Sequence, residues 1–143
     1  MTQTSRRFVL RVSALVVVLA LLLSMTAAFA VSAGIKYNGK SFIRGNSYSM
    51  STLKRALGSG KKQGECVSIY ARYKFTRPGL TIYADQAKRN GKLKIKYITV
   101  TSSKITTLCG FRVGAKVNKS NGTYSRNGVR YTVKSKKVTK ISM

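Results

Sequence analysis

Lys92, Lys94 and Lys96 alternate with Leu93, Ile95 and Tyr97, and this exchange of cation for apolar residue restricts the folds open to the chain. Wound as a helix, these six residues would spread charge around every side. Extended as a strand, they separate into one apolar and one charged face. The pattern recurs. Val67, Ile69, Ala71, Tyr73 and Phe75 alternate with Ser68, Tyr70, Arg72 and Lys74, while Leu80, Ile82 and Ala84 alternate with Thr81, Tyr83 and Asp85. Val129, Tyr131 and Val133 alternate with Arg130, Thr132 and Lys134, and Val138 to Ile141 reads as a short last strand. Turn residues separate these runs. Arg77-Pro78-Gly79 combines a preset φ with a glycine, and Asn127-Gly128 suits a tight hairpin with positive φ at both central residues.

One helix is expected, from Met50 to Leu57. Ser49 caps it, Met50, Leu53, Ala56 and Leu57 form its apolar stripe, and Gly58 stops it. Two turns of helix are marginal alone, so packing onto a sheet has to hold it. The segment before it is polar and broken by Asn38-Gly39 and Gly45-Asn46. Pro78-Gly79-Leu80-Thr81-Ile82-Tyr83 resembles Asn127-Gly128-Val129-Arg130-Tyr131, which fits either an internal duplication or the general likeness of antiparallel hairpins.

Residues 1–30 read as a secretory signal peptide: Arg6, Arg7 and Arg11 precede an apolar run from Val12 to Leu23, and Ala28-Phe29-Ala30 offers a cleavage site. Val31-Ser32-Ala33 offers a second. The alternative is an uncleaved anchor, because Val12 to Ala30 approaches spanning length. Cleavage and general secretion are expected, leaving no stable membrane span and a secreted or cell-wall-associated product. The expected fold is α+β, with one short helix packed on an antiparallel sheet of about five strands. Residues 31–47 form a polar N-terminal segment and residues 48–143 the basic domain. The expected core is Leu53, Leu57, Val67, Ile69, Tyr73, Phe75, Leu80, Ile82, Ile95, Tyr97, Val129, Tyr131 and Val133.

Charge narrows the function. The sequence has 28 lysines and arginines against 2 acids, Glu65 and Asp85, and no histidine. Without the three leader arginines the net charge falls only from +26 to about +23. General acid–base chemistry needs groups that exchange protons near neutral pH, and a metal site needs several ligands of the right kind. Neither supply exists here, so no catalytic residue, metal or cofactor is expected. Cys66 and Cys109 are expected to pair as a disulfide in an oxidising exterior, in preference to two free thiols. Closing that loop would stabilise the fold by roughly 4 kcal/mol in a chain-entropy treatment.

Such a surface calls for a negative partner. Arg72, Lys74, Lys92, Lys94, Lys96, Arg130 and Lys134 are the candidate polyanion-binding residues, with Tyr70 and Tyr83 interleaved. Lysine outnumbers arginine, favouring diffuse point-charge contacts over the bidentate forks of base readout, so specific nucleic-acid recognition is not expected. An anionic cell-wall polymer or another polyanion is the expected partner. A protein-partner or inhibitor-type module, or a secreted antibacterial cation, is the alternative.

The series Leu53-Lys54-Arg55-Ala56-Leu57-Gly58, Glu65-Cys66, Gly79-Leu80-Thr81-Ile82-Tyr83, Val100-Thr101-Ser102-Ser103-Lys104-Ile105 and Gly110-Phe111-Arg112-Val113-Gly114 resembles the β-lactamase-inhibitor-protein-like repeat. That repeat occurs in exported and lipid-anchored proteins of Gram-positive bacteria. The resemblance spans roughly residues 48 to 141 and implies short helices on one face of an antiparallel sheet. After Gly114 the repeat continues into a second helix, whereas Lys116 to Gly122 here has no helical period. Its inhibitors use acidic and aromatic side chains, which this basic chain does not reproduce. No functional residue of that family finds a counterpart here.

Overall fold

Alternation along the chain becomes pairing in space. In the computed structural model the described residues are 32–66 and 68–143, with Glu65 and Cys66 described by backbone alone. The strands are β1 (Gly34–Tyr37), β2 (Lys40–Ile43), β3 (Ser47–Tyr48), β4 (Lys61–Cys66), β5 (Ile69–Arg77), β6 (Leu80–Gln86), β7 (Leu93–Val100), β8 (Thr106–Thr107), β9 (Gly122–Arg126), β10 (Val129–Lys134) and β11 (Lys137–Ser142). The helix α1 is Met50–Leu57.

The expected α+β arrangement is therefore corrected. The described residues are mostly β, with 11 strands in two antiparallel sheets and one short helix. The larger sheet has eight strands in the order β4-β5-β6-β7-β11-β10-β9, with β3 also pairing to β7. The smaller has three, in the order β2-β1-β8. Strands β5, β6, β7, β10 and β11 coincide with the alternating runs. The additional strands carry little alternation: β4 reads KKQGEC and β9 reads GTYSR, and both are edges. An edge strand wetted on both sides needs no hydrophobic period, so its sequence carries no such mark.

The helix forms as its sequence predicts. The Ser49 side chain accepts a hydrogen bond from the Thr52 amide at 3.1 Å, and the Gly58 amide donates to Lys54 O at 2.7 Å with φ of 73°. Leu53, Ala56 and Leu57 are buried. They join one apolar cluster with Ile35 and Phe42 of the small sheet and Phe75, Ile82, Ile95, Ile98, Val133 and Ile141 of the large one. The polar segment 31–47 thus supplies a hairpin, turned at Asn38-Gly39, whose Ile35 and Phe42 are fully buried. At the β5–β6 turn Gly79 has φ of 73°, and a side chain there would press into Ser102.

Of the expected core, Leu53, Leu57, Phe75, Leu80, Ile82, Ile95, Val129, Tyr131 and Val133 are buried. Ile69 and Tyr73 are half-buried, and Val67 lies outside the described residues. Tyr97 departs from expectation, being 58% exposed. The register explains it. Tyr97 pairs with Tyr83 and Ile95 with Ala84, so Lys96 is an extra residue on β7, a β-bulge. One inserted residue shifts the phase of the alternation and carries Tyr97 to the opposite face.

The expected leader, residues 1–30, lies outside the described residues. Among those described, no helix is long and apolar enough to cross a membrane. Cys109 is a buried free thiol. The Cys66 side chain, the other half of the expected bridge, lies outside the described residues; its backbone sits opposite Ile69 on the β4 edge.

Candidate functional site: a basic groove on the outer face of the large sheet

The face of the large sheet opposite the core collects the residues left over by burial. Register and alternation place Arg72 and Lys74 of β5, Tyr83 and Asp85 of β6, and Lys94 of β7 on it. The bulge adds Lys96 and Tyr97. Further along, Thr99 pairs with Ser142, Arg130 with Ser142, and Thr132 with Lys140, extending the same face across β11 and β10. A groove with a cavity volume of about 1010 Å³ runs over it, lined among others by Arg72, Tyr83, Tyr97, Arg130, Thr132 and Lys140. A smaller hollow of about 490 Å³ adjoins Arg72, Asp85, Lys96 and Tyr97 on the β4 side.

Asp85 anchors this face. Its carboxylate is buried and accepts two hydrogen bonds from Arg72, from Nε at 2.6 Å and from Nη2 at 2.9 Å. The two residues are direct cross-strand partners, the arrangement in which opposite charges meet most closely on a sheet. The fork geometry matches a guanidinium to both carboxylate oxygens. This hydrogen bonding by Arg72 holds the Asp85 carboxyl below its ordinary value of 3.8, with the charges of Arg72 and Lys96 acting in the same direction and burial opposing them.

A depressed folded-state pKa means that the pair stabilises the fold above the unfolded pKa. The contribution fades as pH falls through the still lower folded value. Asp85→Asn is therefore expected to cost about 2 kcal/mol at neutral pH, less than a fully buried pair because Arg72 remains partly solvated. Urea unfolding of both proteins checks this: the stability gap at pH 7 should narrow progressively below about pH 4. A gap that is constant with pH would contradict it.

The sequence-predicted cations divide. Arg72, Lys74, Lys94, Lys96 and Arg130 share the outer face. Lys74 is half-buried, with its Nζ 5.7 Å from the centre of the Tyr83 ring. Lys94 and Lys96 are exposed. Lys92 precedes β7 and lines a different hollow beside Ser49, Met50 and Tyr70. Tyr70 is exposed at the start of β5, with Lys62 Nζ 5.3 Å from its ring centre. Lys134 ends β10 next to the Ser135-Lys136 turn, outside the groove lining.

Three charged or aromatic groove residues escape the sequence reading of the site, as do its threonines. Lys140 sits on β11 opposite Thr132, and the alternation of Val138, Thr139, Lys140 and Ile141 is broken by a bulge that the sequence does not mark. Arg44 follows β2 in sequence, yet its Nη1 donates to Gly128 O at 3.3 Å and it lines the groove. Tyr97 is the third.

Compared with known proteins, the chain matches no family model, no curated protein and no solved structure.

Proposed function

We propose that this chain is an exported, non-catalytic binding module that engages an anionic polymer of the cell envelope or its surroundings through the outer face of its large sheet. One observation carries the reading. Lys74, Lys94, Lys96, Arg130 and Lys140 share one face around a groove, and the acid described there, Asp85, is already neutralised by Arg72. A polymer of negative charge laid across that face releases its counterions, an entropic gain that grows with each contact made.

The test is retention and elution of the protein on phosphocellulose, followed by binding measured across a salt series. Log affinity should fall linearly with log salt, with a slope of about −0.7 to −0.9 for each anionic group engaged. Passage through the column without retention at modest ionic strength would overturn the proposal. The exposed Tyr97 within a concave surface favours a second reading, a protein-partner module, because interface hot spots are often aromatic side chains set in such surroundings. Binding by shape to a protein would largely survive the salt that abolishes polyanion binding.

A further inference from the structure

Resting on that reading, we infer that the polymer is an acidic polysaccharide, seated with a sugar ring on Tyr97 and its hydroxyls among the threonines of the groove. The groove is not uniformly cationic. Tyr83 and Tyr97 are direct cross-strand partners on its floor. Lys74 lies over the Tyr83 ring, which leaves Tyr97, 58% exposed, as the open aromatic platform. Short hydroxyls continue the floor: Thr99 pairs with Ser142, and Thr123 pairs with Thr132 with their Oγ1 atoms 3.3 Å apart. Cations stand at intervals around them. Lys74 on β5 and Arg130 on β10 are four strand steps apart in the sheet order, about 19 Å along the sheet.

Each class of polyanion would use this floor differently. Polyphosphate has charge to offer the cations and acceptor oxygens for the hydroxyls, but nothing for the ring. Single-stranded nucleic acid stacks successive bases on successive aromatic rings, and here one of the two neighbouring rings is covered by a lysine. The amide side chains that read adenine edges are missing from the groove lining, and of its arginines Arg72 is held by Asp85 and Arg44 by the Gly128 carbonyl. An acidic polysaccharide uses all three elements at once. Its ring carbons face an aromatic surface, its hydroxyls both donate and accept toward Thr and Ser, and its acid groups recur along the chain to meet spaced cations.

The experiment uses protein purified from cells expressing the full chain. It compares a uronic acid hexamer, linear polyphosphate and oligothymidylate of matched charge at a series of salt concentrations, for the natural protein, Tyr97→Ala and Thr99→Val. Tyr97 is exposed and Thr99→Val keeps a β-branched side chain, so both variants should fold, and their unfolding midpoints verify it. The hexamer should bind tightest at moderate salt. Tyr97→Ala should weaken it about fivefold while leaving polyphosphate unchanged, and Thr99→Val should act in the same direction. Equal binding of all three probes, with no effect of Tyr97→Ala, overturns this inference and leaves the polyanion reading standing. A preference for oligothymidylate that Tyr97→Ala abolishes overturns it in favour of single-stranded nucleic acid. No binding of any probe at low salt overturns both.

Discussion

Phe42→Ala should destabilise the protein by about 4 kcal/mol, read as a lowered urea midpoint with an unchanged slope. Phe42 belongs to the small sheet but is fully buried in the common apolar cluster, with its ring 5.3 Å from that of Tyr48. Truncation removes a large transfer free energy and leaves a void between two sheets that cannot both collapse into it. The loss should match that of a central residue of the large sheet such as Phe75, also buried. A cost below about 1 kcal/mol would show that the β1–β2 hairpin is an appendage and not part of the core.

The second large effect concerns the groove. Replacing Lys96, Arg130 and Lys140 together by Gln should weaken binding to an anionic polymer roughly a hundredfold at low salt, taking about 1 kcal/mol for each surface cation. The salt slope should fall by about two to three, because fewer counterions are released. The control removes the same charge elsewhere, from the exposed Lys40, Lys54 and Lys104. Long-range attraction alone would make the two triple variants equal. A directed face makes the first far weaker than the second, and equality would dismiss the groove as the contact surface.

How much of this is visible in the residues depends on burial. Where a segment has one dry and one wet face, as in β5, β6, β7 and β10, the sequence alternates and the strand is legible. The Ser49 cap and the Gly58 stop mark the helix equally well, since each satisfies a backbone group that the helix leaves over. Strands β1 and β2 carry just one fully buried side chain each, Ile35 and Phe42, too few to establish a period. The hairpin between β10 and β11 turns on Ser135 and Lys136, both at positive φ without a glycine to announce it. Among the site residues, Arg72, Lys74, Lys94, Lys96 and Arg130 followed from alternation. Lys140 and Arg44 did not, because their place depends on which distant strands become neighbours.

The irregularity at Lys96 carries a lesson about how such a surface can arise. A strand locked into a core on one side cannot be redecorated freely, because every second position is committed to packing. A bulge absorbs a single extra amino acid locally, so Ile95 before it and Ile98 and Val100 beyond it all remain inside while Tyr97 stays opposite Tyr83. A change in length can thus add a cation to the outer face, Lys96 beside Tyr97, without disturbing the packed positions. Removing Lys96 would straighten the strand and take one cation from the surface, yet leave the tyrosine outward, directly after Ile95 and opposite Tyr83.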